Sequence, residues 1–203
     1  MFSENEIATM IEIEEIKQAT VAVKRQFIDE EANFLDISDH DFLSLIMVTP
    51  AIGVALANGS ISLFEELALN KMARKMSKGG YFMKTDPVAH AMKFVVKNFN
   101  KWEKEFLGII ETCMDATFDR AQLKELTSNE SGDVVKDFAR DLMKVPYIFV
   151  RFLSTMVLND ESDIVERRSI SRVEYEKIEN IGVQLHINDI PVFRSFCGTF
   201  EVR

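Results

Sequence analysis

Cysteine, glycine and proline are scarce in this sequence. Its 203 residues include two cysteines, eight glycines and four prolines. The two cysteines, Cys113 and Cys197, cannot form the disulfide framework of a small secreted domain, so we expect reduced thiols in a cytoplasmic protein. Few helix breakers, combined with long apolar periodicities, indicate that the chain is mainly helical.

The sequence also lacks the common catalytic motifs. It has no glycine-rich phosphate loop, no nucleophile elbow and no Cys-x-x-Cys pair. Its histidines, His40, His90 and His186, occur in no Glu-x-x-His or His-Glu-x-x-His spacing, which excludes a ferritin-like di-iron site and the zinc site of that motif. Asp86 and His90 have i, i+4 spacing, and we interpret them as an exposed pair. We therefore predict a protein without enzymatic activity.

No signal peptide is expected, because the first ten residues contain no basic region followed by an apolar block. One stretch, Phe42 to Phe64, has 23 residues without a charge. Its strongly apolar part is shorter than the ~20 residues that a bilayer span requires, and it contains Pro50. We predict a buried core helix here and no membrane span.

Charge is distributed unevenly along the chain. The formal net charge of −9 argues against general nucleic-acid binding. Residues 1–41 carry eleven acidic and three basic side chains, whereas residues 71–104 carry nine basic and two acidic ones. This asymmetry indicates a basic surface that could meet an acidic partner or the acidic N-terminal segment.

Periodicity and capping signals predict an all-α protein of about seven helices, packed as one bundle. The predicted helices cover about residues 4–30, 40–57, 62–77, 86–115 and 134–158, then a long helix opened by the box at 171–174 and a short one begun at 188–193. Pro146 is expected to kink the fifth helix, and the tail beyond Gly198 is expected to fray. Residues 1–35 form an N-terminal helix or extension, and residues 36–203 form the main helical domain.

The predicted helix 86–115 has the clearest two-sided pattern. At about 100° per residue its large apolar side chains fall on one face. The opposite face carries a lysine ridge, which consists of Lys93, Lys97, Lys101 and Lys104. This ridge is either a solvated face or a docking surface for an acidic protein or anionic headgroups. It could also meet the acidic N-terminal helix of the same chain or of another chain, which would favour a homodimer.

A repeat with an offset of 109 residues connects the two halves of the chain. Ser60-Ile61-Ser62 matches Ser169-Ile170-Ser171, and Glu65 matches Glu174. Apolar residues then match at i, i+3 and i+7, which places them on one helix face. The two repeat cores, about 42–78 and 148–187, are expected to pack around a pseudo-twofold axis.

The first copy, Ala57 to Ala73, resembles the Ala-Asp-Gly-x-Ile-Ser-x-x-Glu signature of the tellurite-resistance TerB-like proteins. The second copy, residues 170–187, resembles the second signature of that family. The resemblance implies an all-α bundle of about seven helices and a non-enzymatic role in stress or metalloid resistance. It also implies complexes with protein partners, often at the inner membrane surface. This chain departs from the signature at Asn58, where the family has Asp, and in the longer loop of the second copy, residues 159–168.

Acidic loop residues are considered divalent-metal ligands in that family. The corresponding candidates here are Asn58, Glu65, Glu66, Asp160, Glu161 and Glu174. Hard cations such as Ca²⁺ require about six to eight oxygen ligands, and the first loop supplies few. Helix capping explains Glu65 and Glu174 without any metal.

The sequence therefore predicts a cytoplasmic TerB-like adaptor that requires no cofactor and docks a protein partner through the lysine ridge or the loops. The alternative is a domain that senses a small ligand or a divalent metal, using the repeat loops or a cavity lined by Met and Phe. Peripheral association with a membrane and homodimerisation both remain open at this point.

Overall fold

The computed structural model describes residues 1–79, 86–127, 131–158 and 164–203. Within these ranges the chain is mostly helical, which confirms the prediction of an all-α protein. The first seven helices are α1 Glu4–Met10, α2 Glu14–Glu31, α3 Asp39–Ile46, α4 Thr49–Leu56, α5 Leu63–Met76, α6 Pro87–Lys97 and α7 Phe99–Thr117. The remaining elements are α8 Arg120–Lys124, α9 Val134–Leu142, α10 Tyr147–Ser154, β1 Arg168–Ile170, α11 Arg172–Gln184, α12 Pro191–Gly198 and β2 Phe200–Val202.

The predicted count of about seven helices is not confirmed, since the described ranges contain twelve helical segments. Four of the predicted helices are each divided in two. Pro50 lies in the first turn of α4, where its missing N–H costs no hydrogen bond, so α3 and α4 are separate helices. Pro146 is the N-cap of α10 and lies between α9 and α10. Asn98 leaves helical geometry, with φ −118° and ψ 28°, and separates α6 from α7.

The prediction that the tail beyond Gly198 frays is wrong. Residues Phe200–Val202 form β2, which pairs in parallel with β1 through Arg168 opposite Phe200. Phe200 is buried, and its ring centroid lies 5.0 Å from that of Phe196 on α12. The apolar contact of Phe200 and the strand pairing explain why the tail is ordered.

The core lies between α2, α3 and α7, where α2 packs against both of the others. Four fully buried aromatic residues, Phe27, Phe42, Trp102 and Phe106, form its centre. The ring centroids of Phe27 and Trp102 are 5.1 Å apart, in an edge-to-face arrangement that aromatic pairs favour. The N-terminal segment therefore contributes directly to the core through α2.

The apolar stretch Asp39–Leu56, which comprises α3 and α4, has the length and hydropathy of a membrane span. In the fold, 89% of this stretch is buried inside the protein. Such burial is typical of a core helix in a globular bundle, as the sequence predicted.

Candidate functional site

Both predicted capping boxes are present, and their geometries are nearly the same. The Ser62 N–H donates to Glu65 Oε2 at 2.7 Å, and the Glu65 N–H donates to Ser62 Oγ at 3.3 Å. At the second copy, the Ser171 N–H donates to Glu174 Oε2 at 2.7 Å, and the Glu174 N–H donates to Ser171 Oγ at 3.4 Å. Glu65 and Glu174 are thus both engaged at helix N-termini.

The two copies of the repeat meet through Asn58. The Ser171 hydroxyl donates to Asn58 Oδ1 at 3.2 Å, although the two residues are 113 positions apart in the chain. The loop that carries Asn58 turns at Gly59, whose φ of +89° is readily adopted only by glycine. Asn58 is therefore bound to the second capping box.

The metal candidates do not form a cluster in the part of the chain that the structure describes. No group of three or more His, Cys, Asp or Glu residues could hold a metal ion within these ranges. Asp160 and Glu161 lie outside the described residues. Glu66 is half-buried on α5 and the carboxylates of Glu65 and Glu174 serve the caps, so a metal site at these residues stays a prediction.

The lysine ridge is split by the break at Asn98, and one of its members has an internal role. The Lys101 ammonium forms an ion pair with Glu30 at 2.9 Å and another with Glu31, both on α2 of the same chain. The carboxylate of Glu31, followed by that of Glu30, raises the pKa of Lys101. Glu31 also accepts hydrogen bonds from Trp102 Nε1 at 3.1 Å and from Asn98 Nδ2 at 2.6 Å.

The other three members of the ridge, Lys93, Lys97 and Lys104, are exposed. None of them forms an ion pair with a residue in the described ranges. The ridge therefore has one lysine that fixes the acidic N-terminal helix and three that face solvent.

Asp86 and His90 are not paired with each other. Asp86 caps α6 by accepting from the Val88 N–H at 2.9 Å, and its other carboxylate oxygen lies 2.7 Å from Arg74 Nε on α5. His90 packs against the Phe34 ring, with centroids 5.7 Å apart. The Arg74–Asp86 ion pair places the end of α5 beside the start of α6.

A groove of about 510 Å³ brings the first repeat loop and the lysine ridge together. It is lined by Leu56, Gly59, Val96, Lys97, Asn98, Phe99, Asn100 and Lys101. Its apolar members come from α4, α6 and α7, and its cations come from the ridge. The sequence predicted the loop and the ridge separately but gave no reason to place them in one groove.

An exposed apolar cluster, Leu63, Phe64 and Leu67, lies in the first two turns of α5. The exposed fractions of these residues are 68%, 84% and 58%. The sequence did not point to this cluster, because the apolar positions shared by the two repeat copies lie on the buried face of α5. A helical projection does show the cluster. Its three residues fall together on the face of α5 opposite the buried residues Leu69, Met72 and Met76.

A second groove, of about 500 Å³, lies between α11 and α12. It is lined by Tyr175, Glu179, Val183, Asn188, Phe193, Arg194 and Cys197. Burial raises the pKa of Cys197 to about 12, and the same cause raises the pKa of Cys113 to about 12. Both cysteines are free, and at neutral pH both are protonated thiols with little nucleophilic character.

The candidate sites on the described surface are thus these two grooves, the exposed apolar cluster and the three unpaired lysines of the ridge, whereas both loop glutamates cap helices. Comparison with known proteins adds no relative to this picture: no protein-family model, curated protein or solved structure matches the chain.

Proposed function

We propose that this chain is a non-enzymatic adaptor that docks an acidic protein partner through Lys93, Lys97 and Lys104. The observation that carries the proposal is the separation of the ridge into two roles. Lys101 is bound by Glu30 and Glu31, whereas the other three lysines face solvent without an ion pair in the described ranges.

Unpaired lysines on an otherwise acidic protein favour an acidic partner. The chain as a whole carries a formal charge of −9, so its average field repels acidic molecules. A local basic face attracts an acidic partner at one place on the surface. This attraction orients the partner and raises its rate of association. The face would therefore select both the partner and the direction from which it approaches.

The TerB-like assignment and a role in a cytoplasmic stress or metalloid-resistance assembly are parts of this proposal. We also propose that the two helix–loop–helix repeats are related by a pseudo-twofold axis, as that family would imply. The matching capping boxes, the Ser171–Asn58 hydrogen bond and the packing of α4 against α11 support this arrangement.

The test is affinity capture with wild-type protein and with a Lys93→Glu/Lys97→Glu variant, followed by mass spectrometry of the captured proteins. We expect the variant to lose acidic proteins that the wild type retains, while its melting temperature stays nearly unchanged. Lys17→Glu is the matched control, because Lys17 is also exposed, lies on α2 and has no ion pair in the described ranges. Identical capture by wild type and the double variant would contradict the proposal.

A second candidate function is the binding of a small polar ligand between α11 and α12. The groove there combines the Arg194 guanidinium, the Glu179 carboxylate and the Tyr175 ring with apolar walls. A few polar groups on apolar walls are typical of small-molecule sites. This candidate and the metal-sensing alternative share one test, which is a ligand-dependent rise in thermal stability.

A further inference from the structure

We infer that the corner where α5 begins and α6 ends is a docking site for an amphipathic, acidic helix of a partner protein. The partner's apolar side chains would cover Leu63, Phe64 and Leu67, and its carboxylates would pair with Lys93 and Lys97. This inference rests on the proposed function and names the shape and chemistry of the partner segment.

The relative position of α5 and α6 brings the start of α5 toward the end of α6. The two helices pack against each other, and the ion pair between Arg74 and Asp86 sets their register at one end. Eleven residues separate Arg74 from Leu63, and eleven separate Asp86 from Lys97, so both helices advance about 16 Å from that pair at 1.5 Å per residue. An antiparallel hairpin with this register brings Leu63 close to Lys97.

The groove of about 510 Å³ supports this register independently. Gly59, in the loop just before α5, and Lys97, the last residue of α6, line the same groove. The start of α5 and the end of α6 therefore lie at one corner of the molecule. The exposed apolar cluster and two of the solvent-facing lysines belong to that corner.

The apolar residues of this corner are highly exposed. Phe64 has the highest exposed fraction of the large hydrophobic side chains in the described ranges, at 84%, and Leu63 and Leu67 are adjacent to it on the helix. Scattered single apolar residues are normal on a protein surface, but a contiguous exposed group is typical of an interaction site. Aromatic residues in such positions often contribute most of the binding free energy.

The charge and the apolar surface of the corner indicate what binds there. The solvent-facing ammonium groups of Lys93 and Lys97 attract carboxylates, and the exposed apolar cluster is stabilised by burial against apolar side chains. An anionic membrane and a second copy of this chain are the alternative occupants, and measurements of vesicle binding and self-association test them directly. A helix with one apolar and one acidic face complements both features of the corner.

The experiment uses a fluorescein-labelled synthetic peptide, an amphipathic helix with leucines on one face and glutamates on the other. It is titrated with the full chain and followed by fluorescence anisotropy. We expect saturable binding that weakens with salt, and no binding of a peptide in which every glutamate is replaced by lysine. We expect Phe64→Ser and Lys97→Glu each to weaken binding by about tenfold or more.

Matched controls separate the corner from the rest of the surface. Met143→Ser removes an equally exposed apolar side chain, 80% exposed, at the end of α9, and it should leave the affinity unchanged. Lys17→Glu should likewise leave it unchanged. The melting temperature of each variant is measured first, so that a loss of binding reports on the surface and not on unfolding.

The outcomes distinguish this inference from the proposed function. If Lys97→Glu weakens binding and Phe64→Ser does not, the basic face is the docking site and the inference about the corner is wrong. If the wild type does not bind the acidic peptide, the inference is overturned, whereas the capture experiment still decides the proposed function. Phe64-dependent binding to phosphatidylserine vesicles without peptide binding, or Phe64-dependent self-association in sedimentation velocity, would also overturn it.

Discussion

At the scale of single residues, the contacts of Glu31 distinguish Lys101 from the other lysines of the ridge. Its side chain is 10% exposed and accepts hydrogen bonds from Lys101, Trp102 and Asn98. A carboxylate with three donors around it is satisfied within the fold and holds α2 against the junction of α6 and α7. Lys101 is therefore a structural residue, and a variant intended to test docking should leave it unchanged.

Replacement of Glu31 by Gln should lower the melting temperature at neutral pH, because Gln cannot form the ion pair with Lys101. Hydrogen bonding to Lys101 lowers the pKa of Glu31 below its ordinary value of 4.5, against the opposing effect of burial. A carboxylate whose pKa is lowered by folding stabilises the fold above its unfolded-state pKa, and this stabilisation is lost as the pH falls through the folded-state pKa.

The check is a series of thermal unfolding curves for wild type and Glu31→Gln. The difference in melting temperature should be constant from pH 6 to pH 8 and should shrink below pH 4.5. Glu125→Gln is a control, since Glu125 is an exposed carboxylate without an ion pair in the described ranges. A difference that persists at the same size in acid would contradict the assigned role of Glu31.

At the scale of elements, the close approach of α11 and α12 depends on Gly182. A Cβ atom on Gly182 would lie 2.3 Å from Cζ of Phe193, a distance at which the Phe193 ring or one of the two helices must move. Phe193 is 2% exposed and belongs to the core, and it also borders the groove between α11 and α12. With the offset of 109 residues, Gly182 in the second repeat stands at the position of Ala73 in the first.

Gly182→Ala should destabilise the protein by about 1–3 kcal/mol, the usual cost of forcing extra volume into a packed core. Gly108→Ala is the matched control, because Gly108 lies within α7 and has open space around the added Cβ. The control should stabilise the protein by about 0.5–1 kcal/mol through the higher helix propensity of alanine. Chemical denaturation of both variants measures these differences, and equal effects would show that the Phe193 contact is not limiting.

At the scale of the whole molecule, the N-terminal segment is part of the same core as the rest of the chain. Fully buried residues of α1 and α2, including Ile7, Ile16 and Phe27, pack with the central helices. The acidic segment 1–41 and part of the basic segment 71–104 meet inside one chain through Glu30, Glu31 and Lys101. The charge asymmetry of the sequence is therefore partly an internal interaction and only partly a surface for partners.

A metal scan tests the alternative of a metal-sensing domain on the whole protein. Chelator-treated protein is unfolded thermally with and without millimolar Ca²⁺, Mg²⁺ or Zn²⁺. Binding to the folded state at 100 times the dissociation constant would add about 2.7 kcal/mol to the free energy of unfolding. The adaptor proposal predicts no shift, because Glu65 and Glu174 cap their helices.

A Glu65→Ala/Glu174→Ala variant is the matched control for the scan. If the glutamates act only as caps, the variant should lose on the order of 1 kcal/mol per helix with or without metal. A metal-dependent rise in the wild type that disappears in this variant would favour the metal-sensing alternative instead.

The sequence by itself determined the features that depend on neighbouring residues. The all-α class, the N-caps of α5 and α11 at Ser62 and Ser171, and the buried face of α6 and α7 follow from local capping and periodicity. The breaks at Asn98 and at Met47–Val48 were not predicted, because the apolar pattern across each break is also that of one continuous helix. The strand β2 was missed because its partner β1 is remote in the chain.

Only the tertiary structure decided which side chains remain available at the surface. Lys93, Lys97, Lys101 and Lys104 have the same helical spacing, and only the packing of α2 against α7 distinguishes Lys101 by placing Glu30 and Glu31 beside it. Likewise, only the tertiary structure brings Gly59, in the loop before α5, and Lys97, at the end of α6, into one groove. Whether a surface side chain is available for binding depends on contacts between residues far apart in the chain. A local sequence pattern does not show these contacts.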